Sequence, residues 1–349
     1  MTETGVEYPL GVCLPRVSVL LPVFNGAEYL KPCLESLERQ TLSNFEVVAV
    51  DDGSTDDSGE ILTNWACRDR RFRVLQRAHC GLIQTLNEGL KACRSFLVAR
   101  MDADDIAHPE RLRLQVNLLE NSPEISVASS LVQHFPSHRI RDGFRLYDQW
   151  INSLSSDEAM RRERFVESPV GHPSVMFRRE VVAAAGGYRD RGWPEDYDLW
   201  LRLFEAGKVF AKVPRILLFW RERSNRLSRI DSRYSGRAFL RCKAHFFARG
   251  PGAEGTSIVL WGAGPNGKKL HRFLGEEGVP IKAVIDIDSS KIGGRIRGSQ
   301  VLPPAALPGL LDERTVVVAA VASRGARQLI RSRLVSLDLT EGQDFWCLL

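Results

Sequence analysis

The chain has 349 residues, of which 44% are hydrophobic and 26% charged, a balance typical of a globular protein with room for two domains. It contains no run of about 18 apolar residues, and residues 1–15 lack the basic stretch and apolar core of a secretory signal, so we expect neither a membrane-spanning helix nor secretion. The net charge of +5 is modest, and the seven cysteines, an odd number without a CxxC pair, indicate reduced thiols in a cytosolic protein rather than a disulfide or zinc framework.

The first third of the chain alternates strand and helix patterns. Val17–Val23 is almost continuously apolar, as a buried parallel strand is, and leucines at helical spacing follow it. A second strand ends at Asp51, and strand patterns over Phe72–Leu75 and Phe96–Met101 are each followed by an apolar helix pattern. This alternation predicts a parallel sheet with crossover helices.

The pattern loosens beyond about residue 125. Further elements are predicted as strands at 126–133 and 174–177, an amphipathic helix near 157–165 and a helix over 196–206. A breaker-rich stretch at 250–255 predicts a linker, after which strand and helix patterns resume as a smaller α/β unit that we expect to fold independently.

Three acidic clusters stand next to predicted elements. Asp51-Asp52 and the run Asp102–Asp105 each follow a strand, and Glu195-Asp196 precedes a helix. Ligands of open α/β sheets bind beyond the carboxyl ends of the strands. Two carboxylate clusters there suit a divalent metal and an activated phosphate ester, and the third offers a general base. The clusters therefore indicate an enzyme that moves a group off a nucleotide diphosphate.

Residues 16 to about 220 resemble inverting glycosyltransferases of family 2, which have the GT-A fold. The matching segments are Val17–Asn25, Asp51–Ser54, Asp102–Asp105 with Pro109–Leu112 after it, and Glu195–Trp200. Four motifs in this order and spacing make the signal specific, and it weakens between 136 and 170, where such enzymes vary with their acceptor. The resemblance implies an α/β fold class: a GT-A domain with a mostly parallel, Rossmann-like sheet, followed by a small α/β Rossmann-like domain. We expect an N-terminal extension (1–15), the GT-A domain (16–225), a basic helix and linker (226–255) and the C-terminal domain (256–349).

The resemblance also assigns roles to residues. Binding of the nucleotide sugar is expected from Pro22, Asn25, Asp51, Asp52, Arg100 and Asp102. Asp104 is the expected ligand of Mn²⁺ or Mg²⁺, and Asp196 the expected base, with Glu195 as the alternative. His172 and Trp193 are weaker candidates for contact with the acceptor.

Each of these residues also has a purely structural interpretation. The aspartates could cap helices or form a solvated turn. His172 and Trp193 could be packed residues that close their loops against the core.

A glycine-rich loop begins the C-terminal unit. Gly262, Gly264 and Gly267 form a GxGxxG between a strand and a helix, and Asp286 ends the next strand, where a ribose-binding acid would lie. The unit has only about 95 residues, room for one mononucleotide-binding half rather than two. The loop could bind a nucleotide, or it could be a tight turn in a packing module.

The sequence thus predicts a metal-dependent inverting glycosyltransferase. It would move a sugar from a nucleotide-diphosphate sugar, most readily UDP-linked, to a hydroxyl of a cell-surface glycan or lipid-linked precursor. Between Arg221 and Arg249, nine basic residues stand against two acids, so we expect a cytoplasmic protein with a peripheral contact at the inner face of the membrane. Nucleic acid is not expected, because no recognition motif accompanies the charge. The alternatives are a nucleotide- or NAD-binding regulatory or redox protein centred on the glycine loop, and a basic adaptor with a degenerate GT-A domain.

Overall fold

The structure is a computed structural model that describes residues 14–253 and 255–349. Residues 1–13 of the predicted N-terminal extension and Glu254 of the predicted linker lie outside the described residues. The strands in the described part are β1 (Val17–Val23), β2 (Phe45–Asp51), β3 (Phe72–Gln76), β4 (Leu97–Arg100), β5 (Ile106–Ala107), β6 (Ile125–Phe135), β7 (Met176–Arg178), β8 (Val209–Arg221), β9 (Ser257–Trp261), β10 (Ile281–Ile285), β11 (Arg295–Ile296), β12 (Ser299–Leu302), β13 (Thr315–Ala319) and β14 (Phe345–Cys347).

The helices of the same residues are α1 (Ala27–Glu38), α2 (Ser58–Arg68), α3 (Leu82–Ala92), α4 (Arg111–Asn121), α5 (Asp142–Ser153), α6 (Asp157–Glu163), α7 (Arg179–Ala184), α8 (Glu195–Glu205), α9 (Leu227–Ile230), α10 (Gly236–Arg249), α11 (Pro265–Glu276) and α12 (Ala326–Val335). None of these helices is long and apolar enough to cross a membrane. The predicted strands and helices are confirmed within a few residues at their ends. The sequence patterns missed the helices α5, α9 and α12, the long strand β8 and the short strands β5, β11, β12 and β14.

The described chain forms two compact units, and each is discontinuous in sequence. The first contains the chain up to Asn152 together with Gly171–Tyr188 and Val209–Glu222. The second contains Ser153–Val170, Arg189–Lys208 and Arg223–Leu349. This division differs from the predicted domains, because two segments expected within the GT-A domain pack instead with the C-terminal residues.

The first unit is built on an eight-stranded sheet in the order β3-β2-β1-β4-β7-β6-β8-β5. β1 pairs in parallel with both β2 and β4, and β6 pairs in parallel with β8. All residues of β1 and β2 are buried, which explains their continuous apolar sequences: helices cover both faces of a parallel sheet. The predicted α/β class is confirmed.

The second unit has its own sheet, in the order β11-β12-β10-β9-β13-β14. Its strands pair in parallel apart from the antiparallel β11–β12 pair. Phe165 packs edge-on against Phe247 of α10 at 5.7 Å between ring centroids and against Trp346 of β14 at 5.6 Å. The segment 153–170 therefore supplies part of the core beneath this C-terminal sheet.

Buried polar contacts add to this connection. Glu163, at the end of α6, is buried and accepts a hydrogen bond from the Arg331 guanidinium of α12 at 2.7 Å. The buried Lys243 ammonium of α10 donates to the carbonyl oxygens of Val166 at 2.7 Å and Leu348 at 3.1 Å. Residues 256–349 are thus bonded, at several buried points, to chain that precedes the predicted linker.

We expect a chain truncated after Arg249 to lose cooperative unfolding, because the cut would expose Phe165 and leave Lys243 with one carbonyl partner fewer.

In the full chain, Glu163→Gln tests the contact between Glu163 and Arg331 by a single substitution. It should lower the free energy of unfolding by about 3 kcal/mol, the cost of breaking a buried ion pair. Glu180→Gln, at an exposed position of α7, is the matched control and should change it by no more than about 0.5 kcal/mol. Urea unfolding measures both variants, and equal stabilities would contradict the predicted role of Glu163.

Candidate functional site

The sheet of the first unit brings three polar loops to one edge. β1 lies between β2 and β4, with Val23 opposite Asp51 and Leu20 opposite Arg100. The residues that follow these strands are Asn25, Asp52 and the acidic run Asp102–Asp105. Because parallel strands end on the same side, the predicted nucleotide-sugar residues share this carboxyl edge.

The loops after β1 and β2 are bonded to each other. The Asn25 backbone N–H donates to Ser54 Oγ at 3.0 Å, and Asn25 Oδ1 accepts from the Thr55 backbone N–H at 2.8 Å. Asn25 adopts φ of 47°, a left-handed conformation that asparagine tolerates better than most residues. Pro22 lies within buried β1, just before this turn. Asn25 therefore shapes this loop and also lies at the candidate site.

The two aspartates at the end of β2, Asp51 and Asp52, are buried and accept hydrogen bonds from backbone N–H groups. Asp51 Oδ1 accepts from the Ser54 N–H at 3.0 Å. Asp52 accepts from the backbone N–H groups of Cys80 at 3.1 Å and Gly81 at 2.9 Å, and lies 2.8 Å from His79 Nδ1. Burial raises the pKa of the Asp52 carboxyl, but the hydrogen bonds from Cys80 and Gly81 outweigh it and lower that pKa below its ordinary value. Asp52 is thus ionised, and its carboxylate holds the loop 79–81 in place.

Sequence reasoning missed Phe24 at this edge. Its ring is 47% exposed and stacks on the His79 imidazole, with centroids 4.1 Å apart and planes at 22°. An exposed aromatic face beside a nucleotide-type edge offers a surface for a flat base. The signal in the sequence was a large apolar residue immediately after the buried strand.

The acidic run after β4 forms a compact cluster. Asp102, Asp104 and Asp105 each place a carboxylate oxygen within 4.8 Å of the others, a spacing that suits one divalent cation. The buried Arg100 guanidinium forms an ion pair with Asp102. Burial lowers the pKa of Arg100, but the Asp102 charge outweighs this and raises it overall, so the guanidinium stays charged.

Two arginines fix the backbone of this cluster. Arg221, at the end of β8, donates from Nε to the Asp104 carbonyl oxygen at 2.6 Å and from its backbone N–H to Asp105 Oδ1 at 2.8 Å. The buried Arg111 guanidinium donates to the Arg100 carbonyl oxygen at 2.6 Å, and burial lowers the pKa of Arg111 to about 10. Arg111 belongs to the recognised Pro109–Leu112 motif. Arg221 was read only as part of a basic block, because its partner is 117 positions away.

His172 lies in the first unit and is buried. Its Nε2 is 2.9 Å from the Tyr188 hydroxyl, and burial lowers its pKa well below the usual value, with the Arg100 charge adding to the effect. A neutral, buried imidazole in this setting matches the structural interpretation. Contact of His172 with an acceptor stays a prediction.

The predicted base, Asp196, lies on α8 of the second unit, and the acids next to it in sequence differ from it in burial. Glu195 is buried and accepts from the Tyr234 hydroxyl at 2.6 Å. Asp198 is also buried and accepts from Trp193 Nε1 at 2.9 Å. Asp196 is the half-exposed one, its Oδ1 accepting from the Tyr197 N–H at 2.7 Å at the positive end of the helix. The indole of Trp193 is buried in the core, so these contacts give it a packing role.

The C-terminal glycine loop is bonded to Asp286, the acid that follows β10. Asp286 Oδ2 accepts from the Ala263 backbone N–H at 2.7 Å, and its Oδ1 accepts from the Asp288 N–H at 2.9 Å. Gly262 adopts φ of 125°, and a Cβ added at Gly267 would overlap the Gly262 carbonyl oxygen, whereas nothing lies within 4 Å of the same position at Gly264. These contacts favour a tight turn, with the acid bonded to the loop itself.

We expect Gly267→Ala to destabilise the protein by about 3 kcal/mol or more, because the added Cβ meets backbone. Gly264→Ala should change stability by no more than about 0.5 kcal/mol and leave nucleotide stoichiometry at one per chain. Urea unfolding and isothermal titration with UDP and with NAD measure these effects. Loss of a second bound nucleotide in Gly264→Ala would instead identify the loop as a phosphate cradle.

Comparisons with known proteins bear on this site. The sequence model of the family described as Glycosyl transferase family 2 matches residues 18–185. The amylovoran biosynthesis glycosyltransferase AmsE of Erwinia amylovora is 36% identical over 204 residues, which cover 58% of this chain and 74% of that protein. An uncharacterized glycosyltransferase of Haemophilus influenzae is 31% identical over 219 residues, covering 61% and 79%. Among solved structures, S. aureus TarS 1–349 in complex with UDP-GlcNAc has a TM-score of 0.52 at 17% identity, over 74% of this chain and 71% of that one, which shows a shared fold.

Proposed function

The chain belongs to glycosyl transferase family 2, as its motifs predicted, and from this membership we propose that it transfers a sugar from a nucleotide-diphosphate sugar to an acceptor hydroxyl with inversion. The observation that carries the proposal is the single sheet edge that gathers Asn25, Asp52 and the cluster Asp102–Asp105. We favour a UDP-linked donor, because the TarS structure of similar fold holds UDP-GlcNAc.

The cluster Asp102–Asp105 fits a hard divalent cation, Mn²⁺ or Mg²⁺. Its donors are carboxylate oxygens, and the loop that carries them is fixed by the backbone contacts of Arg221. We propose Asp104 as the main ligand, as its place in the family motif implies, with the carboxylates of Asp102 and Asp105 beside it. When bound, the ion would neutralise charge on the diphosphate as it leaves.

The nucleoside would lie along the loops after β1 and β2. The exposed face of Phe24 suits stacking of the base. We propose that Pro22, Asn25 and Asp51 shape this surface, and that Asp52 positions the loop 79–81 beside it through its backbone bonds. Direct contact of Asp52 with the base or ribose stays a prediction.

In a single displacement, the acceptor oxygen bonds to the anomeric carbon while the bond to the diphosphate oxygen breaks, and the acceptor proton must pass to a base. We propose Asp196 for this proton, because it is the half-exposed acid at the start of α8 while Glu195 and Asp198 are buried. The acceptor would be a hydroxyl of a glycan or a lipid-linked precursor at the cytoplasmic face of the membrane. The carboxylate of Asp286, the acid expected at a ribose, accepts from the Ala263 N–H of the loop, which gives no support to the alternative of an NAD-binding redox protein.

UDP should stabilise the protein only in the presence of Mn²⁺ or Mg²⁺, by about 2.7 kcal/mol at a hundred times its dissociation constant. Asp104→Asn should remove the metal-dependent part, because it deletes the main ligand. Asp142→Asn is the matched control, since that carboxylate is 94% exposed on α5 of the same unit. Thermal shift with and without chelator measures the effect, and UDP binding that persists unchanged in chelator and in Asp104→Asn would exclude the metal role.

Asp196→Asn should reduce turnover by on the order of 10² or more while leaving UDP affinity nearly unchanged, as expected for loss of a general base. Glu195→Gln should retain most of its turnover, because the amide oxygen can still accept from Tyr234. Single-turnover rates and UDP titration distinguish the two. If Glu195→Gln loses the rate and Asp196→Asn keeps it, the base is Glu195.

A further inference from the structure

The basic segment 221–249, which the sequence predicts as a contact with a membrane, contains the helix α10. The apolar face of this helix packs into the core of its own unit. Its buried apolar residues are Ala238, Leu240, Cys242, Ala244, Phe246 and Phe247. A face that is already covered cannot enter a bilayer, so any membrane contact of this segment must use other residues.

The short helix α9, which precedes α10, exposes apolar side chains, whereas α10 buries most of its own. α9 spans only Leu227–Ile230, and its Ile230 side chain is 68% exposed and its Leu227 side chain 37% exposed. Positions three apart lie on the same side of a helical turn. Two large aliphatic side chains are therefore presented together to solvent.

Arginines surround this apolar pair. Residues 223–237, here named the α9 patch, contain five arginines and one acid, Asp231. Asp231 is itself paired with Arg233 at 2.6 Å. Arg229 and Arg237 are exposed. The patch thus combines exposed aliphatic groups with a strong local excess of positive charge.

We propose that the α9 patch docks on an anionic phospholipid bilayer, with Ile230 and Leu227 entering among the headgroups and the arginines lying at the lipid phosphates. Apolar insertion and attraction to anionic lipid strengthen each other, and each basic residue near such a surface contributes roughly 1 kcal/mol. Charge complementarity selects a bilayer over a second copy of this chain, since two copies of a cationic patch would repel.

The patch is bonded directly to the helix that carries the candidate base. Tyr234, within the patch, donates its hydroxyl proton to Glu195 Oε2 at 2.6 Å, one residue before Asp196. Burial raises the pKa of Tyr234 well above its usual value, and the Glu195 charge adds to this, so the donor stays protonated. If the proposed function holds, docking of the α9 patch brings Asp196 close to acceptors held in the membrane, whereas the docking itself does not depend on that chemistry.

A matched control for the apolar insertion exists in the same unit. Ile287 is 80% exposed, more than Ile230, but it stands between Asp286 and Asp288. An isoleucine in an acidic setting has no attraction to an anionic surface. Replacing Ile287 therefore removes at least as much exposed aliphatic surface as replacing Ile230, without touching the α9 patch.

The test is co-sedimentation of the full chain with vesicles of equal parts phosphatidylcholine and phosphatidylglycerol, and with vesicles of phosphatidylcholine alone. We expect binding only to the anionic vesicles, weakened by added salt. Ile230→Ser should weaken it about tenfold, and Arg226→Gln with Arg229→Gln about fivefold for each residue. Ile287→Ser should bind like the unchanged chain.

Equal binding of Ile230→Ser and the unchanged chain would overturn the insertion of α9, and equal binding to both vesicle types would overturn the choice of an anionic bilayer. All variants should keep their melting temperature and their hydrolysis of UDP-sugar in solution, since none touches the candidate site. A variant of the α9 patch that loses vesicle binding but keeps its hydrolysis of UDP-sugar supports the docking, whatever the outcome for the proposed function. Absent hydrolysis in the unchanged chain would count against the proposed function and not against the docking.

Discussion

Three carboxylates held within 4.8 Å of one another repel, and the first unit is arranged around holding them. The ion pair with Arg100 offsets part of the repulsion, and two further arginines fix the loop through its backbone. Those arginines come from α4 and from the far end of β8, which pairs with β5 just after the acidic run. The acidic loop is therefore supported both by a helix and by a strand beyond β4 in the sheet.

The second unit holds the helix that carries the candidate base. α8 buries Tyr197 and Leu201 in the same core as α10 and the C-terminal strands. The Tyr197 hydroxyl donates to the Arg164 carbonyl oxygen at 2.6 Å, which joins α8 to the segment 153–170. The C-terminal sheet thus serves as the packing surface for the helix that carries Asp196.

Much of the candidate site could be predicted because its signals are local. An acidic pair or run after an apolar strand is visible within about ten residues, and the strand order of a parallel sheet then gathers such runs at one edge. Arg221 and Phe24 could not be assigned in this way. Arg221 acts through a partner more than a hundred positions away, and the value of Phe24 depends on its exposure, which periodicity does not report.

The sequence by itself determined most of the strands and helices, the α/β class and the family, because each depends on short-range periodicity and on motifs of a few residues. Tertiary structure alone decided that the segments 153–170 and 189–208 belong to the second unit, since their placement depends on contacts such as Phe165 with Trp346. It also decided which of several adjacent acids is buried and which half-exposed, and that the apolar face of α10 is covered while Ile230 is not. Burial is a property of the whole packed chain, because a side chain is removed from water only by residues that sequence distance does not identify.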